Sequence, residues 1–145
     1  MANLTPGFPG ESIDCGHATL HRYWEDGIEV FAVAGELDEA DVDEVGAHLE
    51  PLTRPGPWLL DLREVEFLSV AGYRALLRWA YRAREVNGNW ALLAGAAVRP
   101  YLAADGRTQP LPVSEVYSEA MALLEAGEDR RPAVTGFVNP ARTQC

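Results

Sequence analysis

The sequence contains no lysine, only two cysteines and no long apolar run, and each shortage excludes a class of protein. Without lysine the GxxxxGK[ST] phosphate loop cannot be formed. No stretch approaches the roughly 18 apolar residues that a membrane-spanning helix needs, and the N-terminus has no basic, apolar leader. Cys15 and Cys145 stand far apart without CxxC spacing, so neither a disulfide framework nor a zinc site is indicated. We therefore expect a cytoplasmic location without membrane insertion.

Positive charge is also scarce. Twelve arginines stand against 22 acidic residues, which gives a formal net charge of −10 at pH 7. Nucleic-acid binding needs a clustered cationic face that neutralises phosphates, so this composition argues against a nucleic-acid partner. The chain of 145 residues is 48% hydrophobic, which is typical of one globular domain with a packed core.

Both ends of the chain are polar and are punctuated by proline and glycine. Such composition cannot bury enough apolar surface to offset the entropy of ordering the chain. The sequence therefore predicts a flexible N-terminal tail over 1–13, a single domain over 14–126 and a flexible C-terminal tail over 127–145.

Within the domain, hydrophobic periodicity alternates between strand and helix. Apolar runs on both sides of Glu25-Asp26-Gly27 predict an antiparallel hairpin between His17 and Ala34. The alternation that follows implies crossover helices and hence an α/β fold, with a mostly parallel sheet of four to five strands and about four helices. The later elements are predicted as a helix carrying Val42, Val45, Leu49 and Leu52, strands at 58–62, 90–94 and 111–113, and helices at 70–86, 98–104 and 118–126.

No arrangement typical of an enzyme stands out. His17 and His21 are four residues apart on a predicted strand, so about 13 Å separates them and they cannot share an ion. The sequence lacks the GxSxG and GxGxxG patterns, and neither cysteine is bracketed by catalytic partners. We therefore predict a protein without catalytic residues, metal or cofactor.

Acidic residues are abundant after the hairpin, and they follow one another closely in the chain. A set of acids without any arginine among them is most often the solvated face of a helix, and acids in the first turn favour the helix dipole. The sequence therefore predicts a solvent-exposed acidic face, composed of Glu36, Asp38, Glu39, Asp41, Asp43, Glu44 and Glu50.

Two short segments carry a family resemblance. One is Gly35-Glu36-Leu37-Asp38, where the hairpin gives way to the acidic helix, and the other is the FLSVAGYRALL segment at 67–77. In this order, they resemble the GELD-like turn and the F-x-D-S-[ST/A]-G segment of the STAS domain of bacterial anti-sigma factor antagonists. With Asn87-Gly88-Asn89 and the elements after it, the resemblance covers about 110 residues, from Cys15 to Ala126.

The sequence departs from the family where the family is most informative. The first hydroxyl residue of D-S-[ST/A]-G is the family's phosphoacceptor, and the matching position here is Val70, within Ser69-Val70-Ala71-Gly72. Valine cannot accept a phosphate. Ser69 has two interpretations: a phosphoacceptor displaced by one residue, or the N-cap of the second long helix, bonded to the amide of Ala71 or Gly72.

The resemblance implies a non-catalytic, protein-binding regulator that captures an anti-sigma factor of the serine-kinase type, without the usual phosphorylation switch. Two alternatives stay open: a degenerate STAS scaffold or subunit in a signalling or transporter complex, and an enzyme on a similar sheet that would need a cofactor. The expected contact surface consists of Glu36, Leu37, Asp38, Ser69, Val70, Ala71, Gly72, Tyr73 and Arg74.

The second long helix is basic where the first is acidic. Arg74, Arg78 and Arg82 recur every four residues and therefore line one flank. Together the two helices form a bipolar surface that would orient a charged protein partner, and a homodimer stays open. Trp79 is expected on the exposed side, either as an interface anchor or beneath a tail.

Overall fold

The computed structural model describes residues 10–49, 56–86, 88–105 and 112–130. Its helices and strands alternate as the hydrophobic periodicity predicts. The elements are β1 (Gly10–Cys15), β2 (Ala18–Glu25), β3 (Ile28–Leu37), α1 (Glu39–Ala47), β4 (Trp58–Leu68), α2 (Val70–Glu85), β5 (Trp90–Leu93), α3 (Arg99–Asp105), β6 (Val113–Ser114) and α4 (Tyr117–Arg130).

The strands form one mixed sheet in the order β1-β2-β3-β4-β5-β6. β1, β2 and β3 pair antiparallel, whereas β3 to β6 are parallel. Asp26 and Gly27 both have positive φ, as a tight two-residue turn between β2 and β3 requires. The predicted α/β fold with an antiparallel N-terminal hairpin is confirmed, with one strand more than the expected four to five.

The extra strand changes the predicted boundaries. β1 begins at Gly10, so residues 10–13 belong to the sheet and not to the tail predicted over 1–13. In β1 only Ile13 and Cys15 turn inward, which is too weak a pattern to predict a strand; main-chain pairing with β2 holds it instead. α4 likewise continues to Arg130, beyond the predicted limit at 126. The remaining parts of the two predicted tails, 1–9 and 131–145, lie outside the described residues. The same holds for the predictions that concern Glu50, Leu52, Asn87 and Leu111.

Each face of the sheet has its own core. On one face, α1 and α2 cover a large cluster in which Trp58 stacks on Trp90, with 4.9 Å between ring centroids. On the other face, α4 covers a smaller cluster, and Asn89 ties the helix down by donating to the Leu124 carbonyl at 2.8 Å. The smaller cluster consists of Val30, Leu59, Ala91, Leu93, Ala120 and Leu124.

The expectation that Trp79 is exposed is wrong. Its side chain is buried between α1 and α2. A Cβ built on Gly46 of α1 would lie 3.2 Å from the indole nitrogen, so the glycine makes room for the ring. Trp79 therefore joins the two long helices and cannot anchor a partner.

The turn between β1 and β2 packs closely against the end of β3. Gly35 has a φ of 97°, and a Cβ built there would lie only 2.4 Å from the His17 carbonyl oxygen. The same carbonyl accepts a hydrogen bond from the Glu36 amide at 3.0 Å. This close approach holds the last residues of β3 in place.

We predict that Gly35→Ala lowers the free energy of unfolding by about 2 kcal/mol or more, since it adds a backbone clash to the cost of a positive φ. Gly27→Ala is the matched control, because Gly27 also has a positive φ but nothing lies within 4 Å of its added Cβ. The control should cost only about 1 kcal/mol in urea denaturation. Equal losses in the two variants would contradict the close-approach account.

Candidate functional site

The predicted contact surface centres on the start of α2, where Ser69 acts as the N-cap. Its hydroxyl oxygen accepts a hydrogen bond from the Gly72 amide at 3.0 Å. The hydroxyl also donates to the Leu37 carbonyl at 3.4 Å, and the Ser69 amide donates to the same oxygen at 3.1 Å. Of the two interpretations of Ser69, the cap is present, and it joins α2 to the end of β3.

Three residues of the predicted surface lie beneath it. A Cβ built on Gly72 would lie 2.5 Å from the Leu37 carbonyl oxygen, so only glycine permits this approach of α2 to β3. Tyr73 stacks on Tyr101 of α3, with 5.0 Å between ring centroids, and the Tyr101 hydroxyl donates to the Leu68 carbonyl at 2.7 Å. Leu37, Gly72 and Tyr73 are buried and therefore position the surface without being displayed on it.

A second cap lies at the start of α1, where Asp38 and Asp41 form a capping box. The Asp38 carboxylate accepts from the Glu39 amide at 2.7 Å, and Asp41 Oδ2 accepts from the Asp38 amide at 3.2 Å. Asp41 Oδ1 reaches the β1–β2 turn, where it accepts from the His17 amide at 2.9 Å and lies 3.3 Å from the ring nitrogen Nδ1.

The prediction that the whole acidic run is a solvated face is therefore wrong for Asp41, whose side chain is 1% exposed. Burial by itself raises the pKa of this carboxyl. The hydrogen bonds from the amides of His17 and Asp38, together with the His17 ring, outweigh burial and hold the pKa below its ordinary value of 3.8. Asp41 is an ionised structural group that secures α1 to the β1–β2 turn.

The exposed part of the region is a mixed apolar and charged surface, which we call the docking corner: Glu36, Asp38, Phe67, Val70 and Arg74. The corner exists because β3 and β4 end side by side, with Glu36 paired to Phe67 in the parallel register. Phe67 and Val70 are 49% and 56% exposed, which is unusual for large apolar side chains only three residues apart. Ser69 and Ala71 are partly buried.

Phe67 is exposed, although the contact surface expected from the sequence does not include it. Strand alternation is the signal that the sequence offers, since it places Phe67 on the sheet face opposite to the buried Leu68. The charges of Glu36, Asp38 and Arg74 form no ion pair with other described residues. The corner thus offers an apolar centre with charges at its rim, which suits a protein partner.

The structure offers little for a metal or a phosphate-bearing cofactor. Within the described ranges, no three His, Cys, Asp or Glu side chains come together in a way that could hold a metal ion. A cleft of about 570 Å³ opens at the other end of β3, between the β2–β3 turn and α4, and Asp26, Tyr117 and Glu125 are among its lining residues. The described lining contains no basic side chain. None of the described helices is both long and apolar enough for a bilayer crossing.

Comparison with known proteins agrees with the resemblance seen in the sequence. The profile of the family described as "Mlab, STAS domain" matches residues 22–116. A curated relative, Osmosensory protein A of Mycobacterium tuberculosis (strain ATCC 25618 / H37Rv), is 32% identical over 92 residues. These residues are 62% of this chain and 58% of the relative, so the match spans little more than half of that protein's length.

Two solved structures share the fold. An anti-sigma factor antagonist from Mycobacterium paratuberculosis superposes with a TM-score of 0.64 at 22% identity, over 74% of this chain and 94% of that one. SLC26A9 superposes with a TM-score of 0.56 at 17% identity, over 71% of this chain and 20% of that one. At these identities the likeness concerns the fold alone.

We predict that Ser69→Ala lowers the free energy of unfolding by about 1 kcal/mol, because the Gly72 amide loses its cap. Ser118→Ala is the matched control, because Ser118 is exposed in the first turn of α4 and its hydroxyl makes no hydrogen bond to another described residue. Urea denaturation of both variants checks this. A neutral Ser69→Ala would contradict the capping role.

We predict that Asp41→Asn weakens the dependence of stability on pH. Because the folded state depresses the pKa of Asp41, its contribution is fully present above the unfolded pKa and is lost as pH falls through the folded pKa. The wild-type and variant curves of unfolding free energy should therefore converge between about pH 5 and pH 2.

Glu44→Gln is the control for this experiment, because Glu44 is exposed on the same helix. It should leave the shape of the curve nearly unchanged. Parallel curves for wild type and Asp41→Asn would show that the Asp41 carboxylate contributes nothing to pH-dependent stability.

Proposed function

The chain belongs to the STAS-domain family, and from this premise we propose that it is a non-catalytic, cytoplasmic regulator that captures an anti-sigma factor of the serine-kinase type through the docking corner. The observation that carries the proposal is the exposure of Phe67 and Val70 at the junction of β4 and α2, where Phe67 pairs with the exposed Glu36 of β3. Capture would release a sigma factor and thereby change transcription without contact to DNA. The fold likeness to an anti-sigma factor antagonist supports this proposal.

The chemistry of the corner makes this capture independent of serine phosphorylation. A phosphate at the mouth of a helix adds about −1.5 to −2 charges, enough to expel a docked partner. Val70 stands at the family's acceptor position and has no hydroxyl. The neighbouring Ser69 hydroxyl accepts from the Gly72 amide and donates to the Leu37 carbonyl, so a phosphate there would remove the donated hydrogen and set negative charge against that carbonyl oxygen.

A second candidate function is that of a STAS subunit in a larger signalling or transporter assembly. Two observations favour it: the fold occurs as 20% of the SLC26A9 chain, and the match to Osmosensory protein A covers 58% of that protein. A pull-down from lysate separates the candidates, because a small kinase is the expected prey of an antagonist and a large assembly that of a subunit.

We predict that Phe67→Ala weakens binding to the serine-kinase anti-sigma factor by about tenfold to a hundredfold, as expected for an aromatic residue at the centre of an interface. Trp24→Ala is the control, because Trp24 is 54% exposed on β2, away from the corner. Calorimetric titration with purified candidate kinases measures both. Loss of binding in the control alone would show that the interface lies outside the docking corner.

We predict that the wild-type protein takes up no phosphate from such a kinase and ATP, and that Val70→Ser, best combined with Ser69→Asp, restores uptake at position 70. Mass spectrometry of the reaction products locates the phosphate. Strong incorporation at Ser69 of the wild type would contradict the lost switch. If the restored variant takes up no phosphate from a kinase that binds it, the partner assignment is contradicted.

A further inference from the structure

The exposed faces of α1 and α2 carry charges of opposite sign. Glu39 and Asp43 lie one turn apart on α1 and form what we call the acidic ridge. Arg74, Arg78 and Arg82 follow each other at four-residue steps on α2 and form the basic ridge. No described residue forms an ion pair with either ridge. Both ridges thus have charges available to another molecule.

The two ridges lie side by side in one layer. α1 and α2 follow consecutive parallel strands, cover the same face of the sheet and meet where Trp79 packs on Gly46. Leu37 pairs with Leu68, and each helix begins two residues later, so the helices start at the same level. Four residues beyond those starts, Asp43 is therefore level with Arg74.

Helix geometry extends this correspondence by one turn. Side chains on a helix lean toward its N-terminus, so Arg78 reaches back toward the level of Arg74. Asp43 therefore has two arginines at its height on the neighbouring helix, although neither lies within ion-pair distance of it in the same chain.

We propose that a second copy of this chain docks on these ridges and forms a two-fold symmetric dimer. A two-fold axis that runs along the groove between α1 and α2, parallel to both, places α1 of each protomer over α2 of its partner. Asp43 of one protomer then meets Arg74 and Arg78 of its partner, and the same contact recurs by symmetry. The surface is complementary to itself, because it carries both signs in the same layer.

Charge complementarity selects the second copy as the occupant. The surface that fits the basic ridge must be acidic, and α1 presents Glu39 and Asp43 without any basic residue in its last turn. Ala40 and Ala47 are exposed on α1 and supply apolar contacts between the protomers. The net charge of −10 repels a second copy at long range, but at about 0.15 M salt this repulsion is screened beyond about 8 Å.

The test is a charge swap followed by sedimentation equilibrium of the whole chain. Wild type should dimerise in a concentration-dependent manner, and Asp43→Arg and Arg78→Glu should each raise the dimer dissociation constant by about tenfold or more, because both symmetric contacts become repulsive. An equimolar mixture of the two variants should recover dimerisation. In the mixed dimer, one contact is wild type, and in the other the charges at positions 43 and 78 are exchanged while Arg74 is unchanged.

Arg84→Glu is the control, since it changes the charge equally on the same helix. Arg84 lies six residues from Arg78, about 120° around the helix, and its guanidinium lies over Tyr81. It should leave the dissociation constant within about twofold of wild type. A wild-type protein that stays monomeric to about 1 mM, or a mixture that does not recover, overturns the proposal. The experiment uses this chain alone, so it is independent of the proposed capture of an anti-sigma factor.

Discussion

The close contact between the end of β3 and the start of α2 is the constraint on which the functional region depends. The Leu37 carbonyl accepts hydrogen bonds from both the amide and the hydroxyl of Ser69, and Gly72 lets the helix backbone approach the same oxygen. This contact fixes where α2 begins relative to β3. As a result, Phe67 and Val70 are exposed near Glu36, and these residues belong to the docking corner.

The same contact bears on the proposed loss of the phosphorylation switch. A hydroxyl that caps a helix and also donates to a strand carbonyl is committed to the structure, so Ser69 serves the fold. Val70 next to it is exposed but chemically inert. An exposed valine beside a serine engaged in the cap agrees with the proposed constitutive binding.

The sequence predicted the architecture well, because most elements bury a regular apolar face: the β2–β3 hairpin, α2 and the cap at Ser69 all follow from local patterns. It failed where tertiary contacts override such patterns. Asp41 belongs to an acidic run, yet the β1–β2 turn buries it. Trp79 becomes internal through a glycine on another helix, and Phe67 becomes exposed because β4 continues to Leu68. No local pattern encodes those distant partners.

The most direct test of the docking corner is an NMR titration of isotope-labelled protein with a purified serine-kinase anti-sigma factor. The account predicts that amide shift changes concentrate at Glu36, Asp38, Phe67, Val70 and Arg74. Residues lining the cleft between the β2–β3 turn and α4, such as Asp26 and Met121, should stay unchanged. Changes confined to that cleft, with an undisturbed corner, would contradict the account.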